Sequence, residues 1–261
     1  MLSVAIVTFN NRDTIADTLS SLQRHLADGL KARLIVVDNG SHDGTRDIIQ
    51  RYADGHPSLH PIFNPENVGF GRAHNQALES AVSRYHAVCN PDIHFSSDIF
   101  SPMVRFMESR PDIGICCPKF LNPDGSLQPL NRRLPTVVDL LLRRLLPKAL
   151  EPAFRTRLEA YDMRDVGYDH ACDVAFVSGA LMFCRTQVFK QVGGFDPRFF
   201  LYFEDADLTR RINHFGYRTV FFPEVVVTHN WARLAHRSLR GGWLFATSAY
   251  RYFRKWGFTW R

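Results

Sequence analysis

The stretch "ARLIVVDNGSHDGTRDIIQRYA", residues 32–53, decides the fold. Its first part, 32–38, is an apolar, β-rich run that closes on Asp38. That composition suits a strand covered on both faces, as strands of a parallel sheet are. Asn39-Gly40-Ser41 then makes a tight polar loop. Residues 43–53 read as a capped helix.

The same alternation extends in both directions. "LSVAIVT" (2–8) is a first apolar strand, and Ile15, Leu19, Leu22 and Leu26 form a helical stripe within 11–27. A weaker strand is expected over 59–64, a helix over 71–82, and a fourth strand over 85–93 that Pro91 brings to an end. Strands alternating with helices predict an α/β fold with a mostly parallel central sheet flanked by helices. Ligands of such sheets bind outside the carboxyl ends of the strands. Here those ends read "TFNN", "DNGS" and "NPD", all polar.

After about residue 113 the pattern changes. "IGICCPKF" is a strand and "NPDG" (122–125) a turn. Residues 130–168, rich in Leu, Arg and Pro, are expected to be an insertion, mobile or membrane-facing. Strand character resumes over 173–185, a helix is expected over 204–216, and strands over 218–222 and 225–229. Segment 232–256 has helical character, with Trp243, Ala246, Tyr250 and Phe253 expected on one face.

The chain has 261 residues, 45% of them hydrophobic and 22% charged, enough for one large domain with a real core. No uninterrupted apolar run of about 18 residues predicts a membrane span. The first residues, "MLSVAIVTFNN", read as a strand, not a signal peptide. Five cysteines without a CxxC spacing read as free thiols of a reducing cytoplasm. The net charge of +6 favours anionic partners. Between 233 and 261 there are seven Arg or Lys and no acid, so the tail carries more than the whole excess. No RNP, helix-turn-helix or zinc pattern points to nucleic acid, and no GxGxxG after the first strand points to a dinucleotide enzyme.

Several groups could carry chemistry, each with a plainer reading beside it. Asp38 could accept a hydrogen bond from a nucleobase, or shape a turn. Asp92, just past an apolar strand, could hold Mg2+ or Mn2+ on a ligand's phosphates, or be a loop acid. "NVGFGRAHNQAL" (67–78) opens a helix with glycines, where backbone N–H groups could face an anion. His229 closes the last strand; it is structural unless it shares a cleft with Asp92, where it could ligate a metal. "FLYFEDADLTRRI" (200–212) crowds Glu204, Asp205 and Asp207 behind an aromatic run. Acids suit a helix N-terminus, and one could also move protons.

Taken in order, "VTFNN", "VVDNGSHDGT", "NVGFGRAHNQAL", "NPDI", "SGA", "GGFDPRFFLYFEDADLTRRI" and "THNW" resemble the inverting family-2 glycosyltransferases of GT-A fold. The resemblance runs from residue 3 to about 230. The basic, aromatic tail resembles that of the bacterial rhamnosyltransferase branch. The resemblance implies a GT-A domain over 1–230, with the insertion at 130–168, and a C-terminal helical extension over 231–261.

It further implies that Thr8, Phe9, Asn10 and Asp38 hold the nucleotide, with Asp38 facing the pyrimidine. Asn67, Gly69, Arg72 and Asn75 would line the donor sugar and diphosphate. The family's Asp-x-Asp metal motif reads Asn90-Pro91-Asp92 here, so Asp92 must carry it, with His229 as the late metal ligand for Mg2+ or Mn2+. Asp205 would be the catalytic base and Glu204 would orient the acceptor, leaving Asp207 to pair with Arg210 or Arg211.

The donor implied is dTDP-L-rhamnose and the acceptor a lipid-linked or polysaccharide sugar. A UDP-sugar transferase, or a degenerate relative that only binds nucleotide-sugar, are the alternatives. The tail and insertion suit peripheral contact with an anionic membrane at the cytoplasmic face, and an oligomer is compatible with all of this.

Overall fold

The computed structural model describes residues 1–26, 30–230 and 239–260. The first half follows β1 (Leu2–Thr8), α1 (Ile15–His25), β2 (Ala32–Asp38), α2 (Thr45–Gly55), β3 (Leu59–Phe63), α3 (Phe70–Glu79), β4 (Tyr85–Cys89), β5 (Ile93–His94) and α4 (Phe100–Glu108). Then come β6 (Ile113–Leu121), α5 (Val137–Leu145), α6 (Glu151–Tyr161), β7 (Cys172–Asp173), β8 (Leu181–Arg185) and α7 (Thr186–Gln191). The chain continues with α8 (Glu204–His214), β9 (Arg218–His229) and α9 (Leu239–Trp256).

One sheet runs in the order β3-β2-β1-β4-β8-β6-β9-β5, with β7 also paired to β9. β3, β2, β1 and β4 are mutually parallel. β8 is antiparallel to both β4 and β6, while β6 and β9 are parallel. Most strands therefore share one direction, and the reversed ones are β8 and the short β5 and β7.

The alternation of side chains along a strand sorts the core into two layers. From β1, Leu2, Val4 and Ile6 pack with Ile15, Leu19 and Leu22 of α1. Ala5 and Val7 face the other way, onto Ala73 and Ala77 of α3. Further along that second face, Val88, Ile115, Met182 and Cys184 meet Phe189 of α7 and Leu208 and Ile212 of α8.

Three expectations change. The strands expected at 218–222 and 225–229 are one strand, β9, and its pairing with β6 shifts register between Pro118 and Lys119. A bulge of this kind re-aims the strand without ending it. Residues 130–168 carry two helices. Thr136 and Asp139 form a capping box at the start of α5, and Arg157 of α6 bonds Asp139 Oδ1 at 2.7 Å.

The third change is the inward face of the last helix, of which residues 232–238 lie outside the described residues. Trp243 and Tyr250 are 68% and 58% exposed, and Ala246 is exposed too. Of the expected stripe only Phe253 turns inward. The buried side is Phe245, Ala249, Tyr252, Phe253 and Trp256, packed on Phe176, Phe199, Phe203 and Val137. Aromatic residues occur all round this helix, so hydrophobic spacing alone cannot choose a face.

Candidate active site

The polar ends of β1, β2 and β4 and the start of α8 meet along the carboxyl edge of the sheet. Asp38 closes β2 and is fully buried. Its Oδ2 accepts hydrogen bonds from the Ser41 backbone N–H (3.2 Å) and Arg46 Nε (3.3 Å). Its Oδ1 is buried with no partner among the described residues. A buried carboxylate oxygen left without a donor is costly unless a ligand supplies one.

Thr8, at the end of β1, donates to Asn11 Oδ1, which also accepts from the Phe9 N–H. Phe9 is 44% exposed at the mouth of the cleft. Asn10 has φ 56°, in the left-handed region that asparagine tolerates, and exchanges hydrogen bonds with Ser41 and His42. These four residues thus gather at one place.

Asn67 Oδ1 accepts from Asn39 Nδ2 and from the Gly69 N–H, both at 2.9 Å. Gly69 has φ 94°, and a Cβ there would lie 2.7 Å from the Phe200 carbonyl oxygen. Only glycine lets α3 start this close to the segment leading into α8. Asn75 and Arg72 are placed otherwise than expected. The Asn75 amide bonds the Phe195 backbone through both Nδ2 and Oδ1, at 2.8 Å each, so Asn75 clamps a loop. Arg72 Nε donates to the Pro197 carbonyl oxygen, and its head turns towards residues of α9.

Asp92 and His229 do share a cleft, because Ile93 of β5 pairs with His229 of β9. Asp92 Oδ1 lies 3.2 Å from His229 Nε2. His229 Nδ1 is 2.7 Å from Gln128 Oε1, an atom that can only accept, so Nδ1 carries the proton. Nε2 faces an Asp92 oxygen that is buried and has no hydrogen bond, and the Asn90 amide Nδ2 lies 3.4 Å from the same ring nitrogen. A carboxylate oxygen and an imidazole nitrogen placed side by side would hold a divalent cation, with Gln128 fixing the ring from behind. Among the described residues no third His, Cys, Asp or Glu joins them. An oxygen-seeking ion would complete its shell from a diphosphate and water.

Glu204 and Asp205 open α8. The two residues before them, Tyr202 and Phe203, both have positive φ, 70° and 67°. Consecutive aromatic residues in that region are strained and persist only where packing holds them. Phe245 and Tyr252 of α9 pack on Phe203, and Ser248 Oγ donates to the Leu201 carbonyl oxygen.

Asp205 Oδ2 accepts the Gly179 N–H at 3.0 Å and Oδ1 accepts the Ala206 N–H at 2.9 Å. Burial raises the Asp205 carboxyl above its ordinary value, while these N–H groups and the Arg132 charge pull the other way. Glu204 is 4% exposed and its Oε2 has no partner among the described residues. Burial, with Asp205 beside it, pushes its carboxyl well above the usual range. Of the two, Asp205 has the donors that support an anion, so Glu204 carries the proton. Asp207 is fully buried and bonds Arg211 Nε, as its spacing suggested. It also holds Lys255 and Trp256 of α9.

Sequence reasoning missed four contributors. Asn39 ties the loops after β2 and β3 together, and Gln128 orients His229. Arg132 is the cation whose charge reaches Asp205, and it went unnoticed inside a supposed insertion. "SGA" had flagged the glycine, but its use is a backbone donor, which no spacing displays.

The family model for glycosyl transferase family 2 matches residues 3–192. The N-acetylglucosaminyl-diphospho-decaprenol L-rhamnosyltransferase of Mycobacterium tuberculosis is 30% identical, over 91% of this chain and 78% of its own. Rhamnosyltransferase WbbL of Escherichia coli is 25% identical over 98% of this chain and 90% of its own. Among solved structures, the mannosyltransferase PcManGT of Pyrobaculum calidifontis, in complex with GDP-Man and Mn2+, superposes with a TM-score of 0.63. It is 18% identical, over 95% of this chain and 73% of that one. The fold is therefore GT-A.

Proposed function

The chain belongs to glycosyl transferase family 2, and from that premise we propose that it moves L-rhamnose from dTDP-L-rhamnose to a hydroxyl of a lipid-linked or polysaccharide sugar, with inversion. The observation that carries the reaction type is Asp205, a carboxylate held by two backbone N–H groups at the opening of α8. The observation that favours rhamnose is the pair of rhamnosyltransferases to which nearly the whole chain is similar.

Asp38 Oδ1 accepts the base N–H, and Thr8, Phe9 and Asn10 border it. Asp92 and His229 hold Mg2+ or Mn2+. Bound there, the ion would neutralise charge on the departing diphosphate. Asp205 takes the proton of the acceptor hydroxyl as that oxygen bonds to the anomeric carbon. The bond from that carbon to the donor phosphate oxygen breaks on the opposite side, and nucleoside diphosphate leaves. Glu204, buried beside Asp205, carries the proton and orients the acceptor. The protein works at the cytoplasmic face of the membrane, where lipid-linked sugars are made. No helix among the described residues is long and apolar enough to cross a membrane, so contact there is peripheral.

Nucleoside diphosphate release from a panel of nucleotide-sugars tests this. Release from dTDP-L-rhamnose that EDTA stops and Mg2+ or Mn2+ restores is expected, and Asp92→Asn should lose the metal response. Release only from a UDP-sugar would sink the rhamnose assignment and keep the mechanism. Asp38→Ala should raise the KM for donor roughly 10- to 100-fold, the worth of a hydrogen bond to a charged group. An unchanged KM would remove Asp38 from the nucleotide site.

A further inference from the structure

A second cavity, of about 910 Å³, lies between α9, the first turn of α3 and the loop over 197–200. None of the strand-end residues Thr8, Asp38, Asp92 or His229 lines it. Five cations do: Arg72, Arg198, Arg251, Arg254 and Lys255, with Glu66 the one acid on its wall. Two carboxylates behind it answer part of this charge, half-buried Asp196 for Arg198 and Lys255 and buried Asp207 for Lys255. Arg254 has no hydrogen bond or ion pair among the described residues. Like charges gathered from three separate elements repel, and a surplus of this kind is tolerated where an anion completes it.

The anion has an apolar part. Trp243, Thr247, Tyr250 and Arg254 are spaced four, three and four residues apart, so they share one face of α9. Trp243 and Tyr250 are more than half exposed, and Phe258, 51% exposed, lies tilted beside Tyr250. An aromatic track thus leads away from a polycationic pocket along a single helix. A nucleotide-sugar, polar throughout, does not match it.

We infer that this cavity receives the diphosphate of a lipid-linked acceptor, with the lipid chain lying along the Trp243–Tyr250 face. The inference rests on the transferase reading and names its acceptor class. The bridge to the reaction centre is short: Phe200 lines the cavity and packs on Gly69, and the next residue, Phe70, lies against Gly179, whose N–H holds Asp205.

The test uses farnesyl diphosphate as a soluble probe of lipid diphosphate, titrated calorimetrically into the full chain with EDTA at physiological salt. The wild type should bind it, and Arg251→Gln/Arg254→Gln should weaken binding at least tenfold while affinity for dTDP stays within twofold. Arg254→Gln alone removes no hydrogen bond or ion pair among the described residues, so it should weaken binding in a protein with unchanged melting temperature. Loss of farnesyl diphosphate binding in Asp92→Asn, with no effect of the arginine substitutions, would overturn the inference, because the diphosphate would then sit at the strand ends. Phosphatidylglycerol vesicles separate the other source of the same chemistry. Arginine variants that lose vesicle binding yet keep full affinity for farnesyl diphosphate would assign the patch to lipid headgroups. An inactive protein that binds farnesyl diphosphate through Arg251 and Arg254 keeps this inference and sinks the transferase reading. An active transferase whose acceptor KM ignores both substitutions does the reverse.

Discussion

Asp205→Asn slows nucleoside diphosphate release by roughly 10²- to 10⁴-fold, the usual contribution of a positioned general base. The amide keeps one acceptor for the Gly179 N–H and loses the ability to take a proton. Glu204→Gln behaves differently. If Glu204 is the protonated partner, an amide replaces a neutral carboxylic acid, and turnover stays within about tenfold of wild type. Equal losses in the two variants would mean that the roles are shared or reversed. The acid limb of the wild-type rate profile belongs to Asp205. Its carboxyl is raised by burial from 3.8, so the rate falls on acidification at a pH above that of an ordinary aspartate. Stability runs in the opposite sense. A carboxyl with a raised folded value favours the fold while protonated, below its unfolded value of 4.5 in the case of Glu204, and loses that contribution as pH rises through the folded value. Glu204→Gln should therefore stabilise the protein at neutral pH, and the gain should vanish near pH 4. Thermal melts of both proteins across that range decide it.

Asp207→Ala is expected to be the most damaging change for stability. The carboxylate is fully buried and meets Arg211 at 2.8 Å, Lys255 at 2.6 Å and the Trp256 indole N–H at 2.8 Å. Removing it takes the carboxylate from Arg211 and the acceptor from the Trp256 indole, and leaves Lys255 to Asp196 alone. Breaking a buried pair from one side costs about 3–5 kcal/mol, or roughly 6–20 °C in melting temperature for a chain of this size. Turnover should fall as well, since α9 holds the strained Tyr202–Phe203 entry to the catalytic helix. Asp207→Asn, which keeps an acceptor, should recover part of the stability. A melting temperature within about 2 °C of wild type for the alanine variant would show that α9 is held mainly by its apolar side.

The parallel half of the fold is legible residue by residue. Apolar runs ending in Thr8, Asp38 and Asn90 announce strands whose ends carry polar groups, and the structure gathers Asp38, Asp92 and His229 where that pattern predicts. The reversed strand β8 was not legible. It inserts between β4 and β6 through pairings that span from 67 to 100 residues of chain, and nothing local in "LMFCR" encodes its direction. The helices of segment 130–168 were not legible for a different reason. Its Leu/Arg composition drew attention away from Thr136-x-x-Asp139, a readable helix start. Arg72 and Asn75 show the limit of motif order: both stand in the expected place in the chain, yet their side chains serve the 195–197 loop. Whether a polar group meets a ligand or a neighbouring backbone depends on packing that no single stretch contains.

The hold of α9 on the catalytic segment has a consequence for synthesis. Lys255 and Trp256 are made some fifty residues after Asp207, the carboxylate they secure. The sheet can assemble while the ribosome is still working, because domains begin to fold as they emerge. The left-handed pair before Glu204 lacks the packing of Phe245 and Tyr252 until α9 arrives. A nascent chain that stops short of residue 239 should therefore have a folded sheet and an unformed catalytic centre, so that activity appears only after the last helix is released.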